Sequence, residues 1–208
     1  MPRAVKPILF AAALLPTAWL LWAAFTNHLG ANPAETLQLQ TGRWGLKFLL
    51  ATLAVTPLRR LTGWNDVIKV RRMLGLFAFY YATLHFLTYL VLDQYFDWSG
   101  IVKDIAKRPF ITMGFTAYML LVPLALTSTK GWIRRLGRRW QRLHRLIYAA
   151  AICAVIHFIW KVKVVIGDPV LYAAILALLL GFRIVWWLRR RSVQQVARPV
   201  RPSNLPVR

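Results

Sequence analysis

The sequence predicts an all-α polytopic membrane protein, a bundle of six transmembrane helices with both termini in the cytoplasm. Three observations predict it. The 208 residues are 58% hydrophobic, more than a soluble core requires. The apolar residues gather in six runs, near 8–26, 44–62, 73–92, 110–128, 144–161 and 169–188. Each is close to the roughly 20 residues that cross a hydrocarbon core of about 30 Å. Finally, the 28 Lys and Arg, set against 6 Asp and Glu, lie almost entirely between and beyond those runs. A net charge of +22 is then a topology signal rather than a nucleic-acid footprint.

The first run follows Arg3 and Lys6 and is longer than the apolar region of a signal peptide, so it reads as a helix. The connection at 59–72 carries Arg59, Arg60, Lys69, Arg71 and Arg72. The connection at 130–145 carries Lys130, Arg134, Arg135, Arg138, Arg139, Arg142 and Arg145, and the end of the chain adds further arginines. The alternate connections hold fewer cations, among them Lys103, Lys107, Arg108 and Lys161, and nearly all the acids: Glu35, Asp93, Asp97, Asp104 and Asp168. The positive-inside rule therefore sets the termini and the 59–72 and 130–145 connections in the cytoplasm. Residues 1–188 form the membrane domain; 189–208 read as a basic, Pro-containing and disordered cytoplasmic tail. Trp22, Trp44, Trp132, Trp160, Trp186 and Trp187 fall near span ends, as an aromatic belt does. No carboxylate lies mid-membrane, where ion-coupled transporters place one. Cys153 reads as a small buried hydrophobe, and no internal repeat is apparent.

Chemistry concentrates in two runs. His85 lies roughly 18 Å, and His157 roughly 20 Å, from the cytoplasmic start of their spans at 1.5 Å per residue. Facing imidazoles at one depth are what a bis-histidine b-type haem requires, and membrane histidines mark function by default. A packing role for the histidines is the competing reading. No Cys-x-x-Cys-His occurs, which excludes covalent c-type attachment. His144, at the cytoplasmic end of the fifth span, can ligate a second, inner haem or belong to the basic connection. No histidine stands opposite it; Arg71 does, on the same face as His85. Arg71 is read as an inner haem ligand or, better suited to its fork and charge, as the partner of a propionate. On an ideal helix His144 and His157 point about 140° apart, which opposes a simple one-face stack unless the helix is locally distorted or the haems are rotated.

The blocks Arg72-Met-Leu-Gly-Leu, Leu84-His85, Arg108-Pro-Phe-Ile-Thr, Thr127-Ser-Thr, Trp140-Gln-Arg-Leu-His144-Arg-Leu-Ile-Tyr and His157-Phe-Ile-Trp carry a resemblance. They are similar to the haem-binding membrane subunits of periplasmic methionine sulfoxide reductase systems, within the ferric-reductase-like transmembrane group. The resemblance covers nearly the whole chain. It implies a b-type cytochrome of the bacterial inner membrane, with His85, His144 and His157 as haem histidines. Electrons would come from quinone or a cytosolic flavin reductase and leave for a periplasmic molybdopterin subunit that repairs oxidised methionines. The resemblance also implies FMN.

No Gly-x-Gly-x-x-Gly fingerprint opens a nucleotide-binding unit, so the chain reads as one component of an electron relay rather than the catalytic subunit. The alternatives are a haem enzyme acting directly on ferric iron, oxygen or quinone, and a haem-free transporter or scaffold.

Overall fold

The computed structural model describes residues 4–162 and 167–196, and helices are the regular structure throughout them. Helix α1 spans Val5–Phe25 and α2 spans Pro33–Thr62, followed by a 3₁₀ turn at Asn65–Lys69. Helix α3, Arg71–Thr88, widens into a π turn over Tyr89–Asp93. After the short α4 (Trp98–Lys107) come α5 (Pro109–Leu126), α6 (Lys130–Leu136), α7 (Arg138–Leu143), α8 (Leu146–Lys161) and α9 (Asp168–Val196). Helix α9 runs past the end expected at 188 into the segment assigned to the tail. The disorder expected for 197–208 lies outside the described residues.

Local chemistry explains the ends of α2. Asn32 caps it by accepting from the Glu35 N–H at 3.2 Å, with Pro33 in the first turn, where its missing N–H costs nothing. Gly63, at φ 70°, adopts the left-handed conformation that ends the helix.

Five helical segments are long and apolar enough to cross a membrane: Val5–Phe25, Arg71–Asp93, Pro109–Leu126, Arg138–Lys161 and Asp168–Ser192. Helix α2, the longest at 30 residues, is not among them, because Arg43, Lys47, Arg59 and Arg60 dilute its hydropathy.

The helices pack as two pairs, α2 with α3 and α5 with α8, joined along a shared seam. That seam holds Leu46, Leu49, Leu50 and Leu53 of α2, Ala78 of α3, Leu121 and Leu124 of α5, and Ile147, Ala150, Ala151 and Val155 of α8. Small residues set the spacing: a Cβ on Gly45 would stand 3.3 Å from the Ala82 nitrogen, so α2 and α3 approach backbone to backbone. Helix α1 is tied to α3 by Tyr81, fully buried, which donates to the Ala13 carbonyl at 2.7 Å and accepts from Thr17 at 3.0 Å. The outer surface is apolar, with Ile8, Leu15, Phe25 and Leu178 exposed, the pattern a hydrocarbon solvent imposes. Arg183 on α9 finds no acid there. It donates instead to the Leu53 carbonyl at 2.7 Å and lies 5.3 Å from the Tyr148 ring centre.

A candidate cofactor site: two histidines across the seam

The pairing of helices brings His85 of α3 and His157 of α8 together, their ring centroids 5.9 Å apart and their planes steeply inclined at 71°. Each ring is held the same way. His85 Nδ1 donates to the Gln38 carbonyl of α2 at 2.8 Å, and His157 Nδ1 donates to the Phe110 carbonyl of α5 at 2.6 Å. A carbonyl can only accept, so the proton sits on Nδ1 and leaves Nε2 with a free lone pair, the form a metal takes. A metal–imidazole bond of about 2 Å on each side would put ring centroids roughly 6 Å apart. The observed separation matches one ion held between the two.

Glycines make this anchoring possible. A Cβ on Gly42 would stand 3.0 Å from His85 Nδ1, and one on Gly114 would stand 2.7 Å from His157 Nδ1. Each glycine follows the accepting carbonyl by one helical turn, so its missing side chain lets the ring reach that carbonyl. Histidine and acceptor are 47 residues apart in both cases. Ala78 and Ala150, Ala82 and Ala154, and Phe86 and Phe158 recur in the same register. The two helix pairs are thus an internal structural repeat, which corrects the reading that none exists. The sequence conceals it because the recurring residues are few and scattered, while most of the positions between them differ.

The histidines line a cavity of about 680 Å³. Its walls are mostly apolar, including Leu46, Ala82, Phe115 and Ala154, while Arg43, Arg108 and Lys161 and the carboxylates of Glu35 and Asp93 also line it. Arg108 is engaged by Asp104 at 3.1 Å. Arg43 reaches Asp168 at 3.4 Å through one terminal nitrogen, yet its Nε is buried without a hydrogen bond. An apolar slot with two imidazoles and an under-used guanidinium fits a flat macrocycle bearing carboxylates. Among the described residues no group of three or more His, Cys, Asp or Glu converges.

His144 lies about 20 Å from His157 along the helix direction. The helix is broken between them: α7 ends at Leu143 and α8 begins at Leu146, with His144 as the cap. His144 and Arg145 both keep right-handed helical backbone angles, so the interruption is a tightened turn within one span, Arg138–Lys161. His144 stacks on Trp140 with centroids 3.8 Å apart, and its Nδ1 meets the Trp140 carbonyl at 3.1 Å. Trp140 in turn donates to the Thr127 carbonyl at 2.9 Å, pinning the pair to the end of α5. His144 Nε2 is buried with no hydrogen bond of acceptable geometry. Arg71, at the first position of α3, is half-buried and close enough to act electrostatically on His144. Arg71 and His144 thus share one end of the bundle, and His85 and His157 share the other. His28 stands apart from both, stacked on Trp22 at 5.2 Å.

The fold and this arrangement define a class. The chain belongs to the ferric-reductase-like transmembrane family, whose model, described as "Ferric reductase like transmembrane component", matches residues 41–155. Along almost its whole length it is similar to proteins named protein-methionine-sulfoxide reductase heme-binding subunit MsrQ. The one from Xanthomonas axonopodis pv. citri is 51% identical over 205 residues, covering 96% of this chain and 93% of that protein. The one from Herminiimonas arsenicoxydans is 51% identical over 191 residues, covering 90% and 88%. No solved structure matches the chain significantly.

Proposed function

We propose that this chain is the haem-binding, electron-transferring subunit of a methionine sulfoxide reductase system in the bacterial inner membrane. The observation that carries this is the His85–His157 pair, each ring fixed through Nδ1 and each Nε2 left to the cavity. A b-type haem bound there would supply one-electron ferric–ferrous chemistry. The chain's own part is to hold and insulate it. His85 and His157 would hold it through their Nε2 atoms, the Gln38 and Phe110 carbonyls keep both rings in the ligating tautomer, and Arg43 would offer its guanidinium to a propionate. Purified protein is expected to show a low-spin b-type spectrum on reduction. A preparation carrying no haem would overturn the proposal.

The relay runs outward in this reading. Quinone or a cytosolic flavin reductase gives electrons, and a periplasmic molybdopterin subunit that reduces methionine sulfoxide receives them. FMN is a further cofactor implied by the family resemblance alone. The relatives' printed name supports the methionine sulfoxide reductase assignment. The orientation rests on charge, and α2 counts as the sixth span. Its buried face joins the seam, and at about 1.5 Å per residue it is long enough to cross. A cysteine placed in the 59–72 connection is expected to resist a membrane-impermeant thiol reagent added from the periplasm. Ready labelling there would reverse the topology.

At the inner end we propose a second haem site using His144, with Arg71 as propionate partner or ligand. The support is the buried His144 Nε2, which makes no hydrogen bond of acceptable geometry, beside Arg71, which forms no ion pair with an acid among the described residues. Arg71→Ala is expected to lower haem retention at that site while the outer haem stays. Arg71→His should raise the low-spin fraction by completing a histidine pair. If His144→Ala leaves haem stoichiometry unchanged, the inner site does not exist.

A further inference from the structure

Next to the inner histidine site and sharing Arg71 with it, the end of α2, the 3₁₀ turn, the start of α3 and the last turns of α9 line a second cavity of about 350 Å³. Four guanidiniums line it: Arg59, Arg60, Arg71 and Arg190. Two of them share one indole. Arg60 lies 4.5 Å and Arg190 5.5 Å from the Trp186 ring centre, and the Trp186 Nε1 is buried without an acceptor. No carboxylate lines the cavity; Asp66 of the adjoining turn is bonded to Lys69. Positive-inside topology asks only that cations lie on this side of the membrane, and spreading them would serve it at lower cost. Like charges drawn into one concavity repel unless an anion sits among them. Guanidinium forks match phosphate oxygens, and basic pockets between helices at the cytoplasmic face are where such headgroups bind.

We propose that Arg59, Arg60, Arg71 and Arg190, arranged around Trp186, form a binding site for one phosphate group, carried either by an anionic phospholipid or by a soluble phosphate ester. The site does not depend on the haem reading, although Arg71 forms its wall towards His144.

Native mass spectrometry of the delipidated, haem-loaded protein tests this, with phosphatidylglycerol, zwitterionic phosphatidylcholine and inorganic pyrophosphate as probes. Wild-type protein is expected to retain one equivalent of an anionic probe in preference to phosphatidylcholine. Retention of phosphatidylglycerol alone identifies a lipid site, and binding of pyrophosphate identifies a soluble phosphate ester. R60Q/R190Q should weaken binding about thirtyfold and the exposed-position variant R190Q about fivefold, both keeping the haem spectrum. R134Q/R138Q, which removes the same charge from α6 and α7, should bind as wild type. The proposal is overturned if no anionic probe is preferred, if R190Q binds as wild type, or if R134Q/R138Q weakens binding as much as R60Q/R190Q. Loss of haem from R60Q/R190Q would likewise overturn it, by assigning the cavity to a haem carboxylate.

Discussion

Alanine at His157 or at His85 is expected to remove the outer haem, lowering its occupancy in purified protein by more than about 100-fold. Altering a group that merely orients a metal ligand already costs 10–100-fold in affinity, and deleting the ligand exceeds that. Among the described residues no other histidine or cysteine lines the cavity, so no second imidazole or thiolate can take the lost ligand's place. The free imidazole that remains would still be tethered through Nδ1, so the fold should survive with reduced yield. His28→Ala is the matched control: His28 stacks on Trp22 away from the seam and should leave the spectrum as it is. Haem content by pyridine haemochrome decides the matter. Full occupancy in both His85→Ala and His157→Ala would remove the basis of the assignment.

The second large effect is expected from a single methyl group. Gly114→Ala would place a Cβ 2.7 Å from His157 Nδ1, a separation that real contacts essentially never show. The ring, held at 2.6 Å by the Phe110 carbonyl, must give way and lose either that bond or its aim into the cavity. Overpacking of this kind costs about 1–3 kcal/mol, so haem affinity should fall by roughly ten- to a hundredfold. Gly42→Ala meets His85 at 3.0 Å and should act in the same direction with smaller effect. Gly75→Ala separates this mechanism from a general intolerance of substitution. Its Cβ would meet only Thr52 at 3.6 Å, an ordinary contact, so haem binding should persist. Equal haem content in Gly114→Ala and Gly75→Ala would show that ring position is not what glycine protects.

Much of this architecture was legible in the sequence because membranes impose simple arithmetic. Run length placed the helices, and depth counting put His85 level with His157, whose rings the fold brings together. What remained hidden was nonlocal or lay in the backbone. The Gln38 and Phe110 carbonyls carry no sequence signal, since every residue has one. Gly42 and Gly114 were visible, but a glycine inside a span is common, and only its partner across the helix pair gives it meaning. A local distortion near His144 was one of the readings left open, but its place at His144–Arg145 carries no sequence signal, since these residues suit a helix. Charge density around 59–72 was plain. Its closure into a cavity needed α9, whose Trp186 and Arg190 lie far along the chain.

The central claim is that two neutral imidazoles from α3 and α8 hold one haem iron between them. The low-temperature electron paramagnetic resonance spectrum of the oxidised protein tests it most directly. Strong axial imidazoles on both faces give a low-spin ferric signal, and planes set at 71° would make that signal highly anisotropic. The spectrum is predicted to contain such a low-spin component, lost in His85→Ala and in His157→Ala and retained in His144→Ala. A spectrum in which all the haem is high-spin, or a low-spin signal indifferent to both His85→Ala and His157→Ala, would contradict the account.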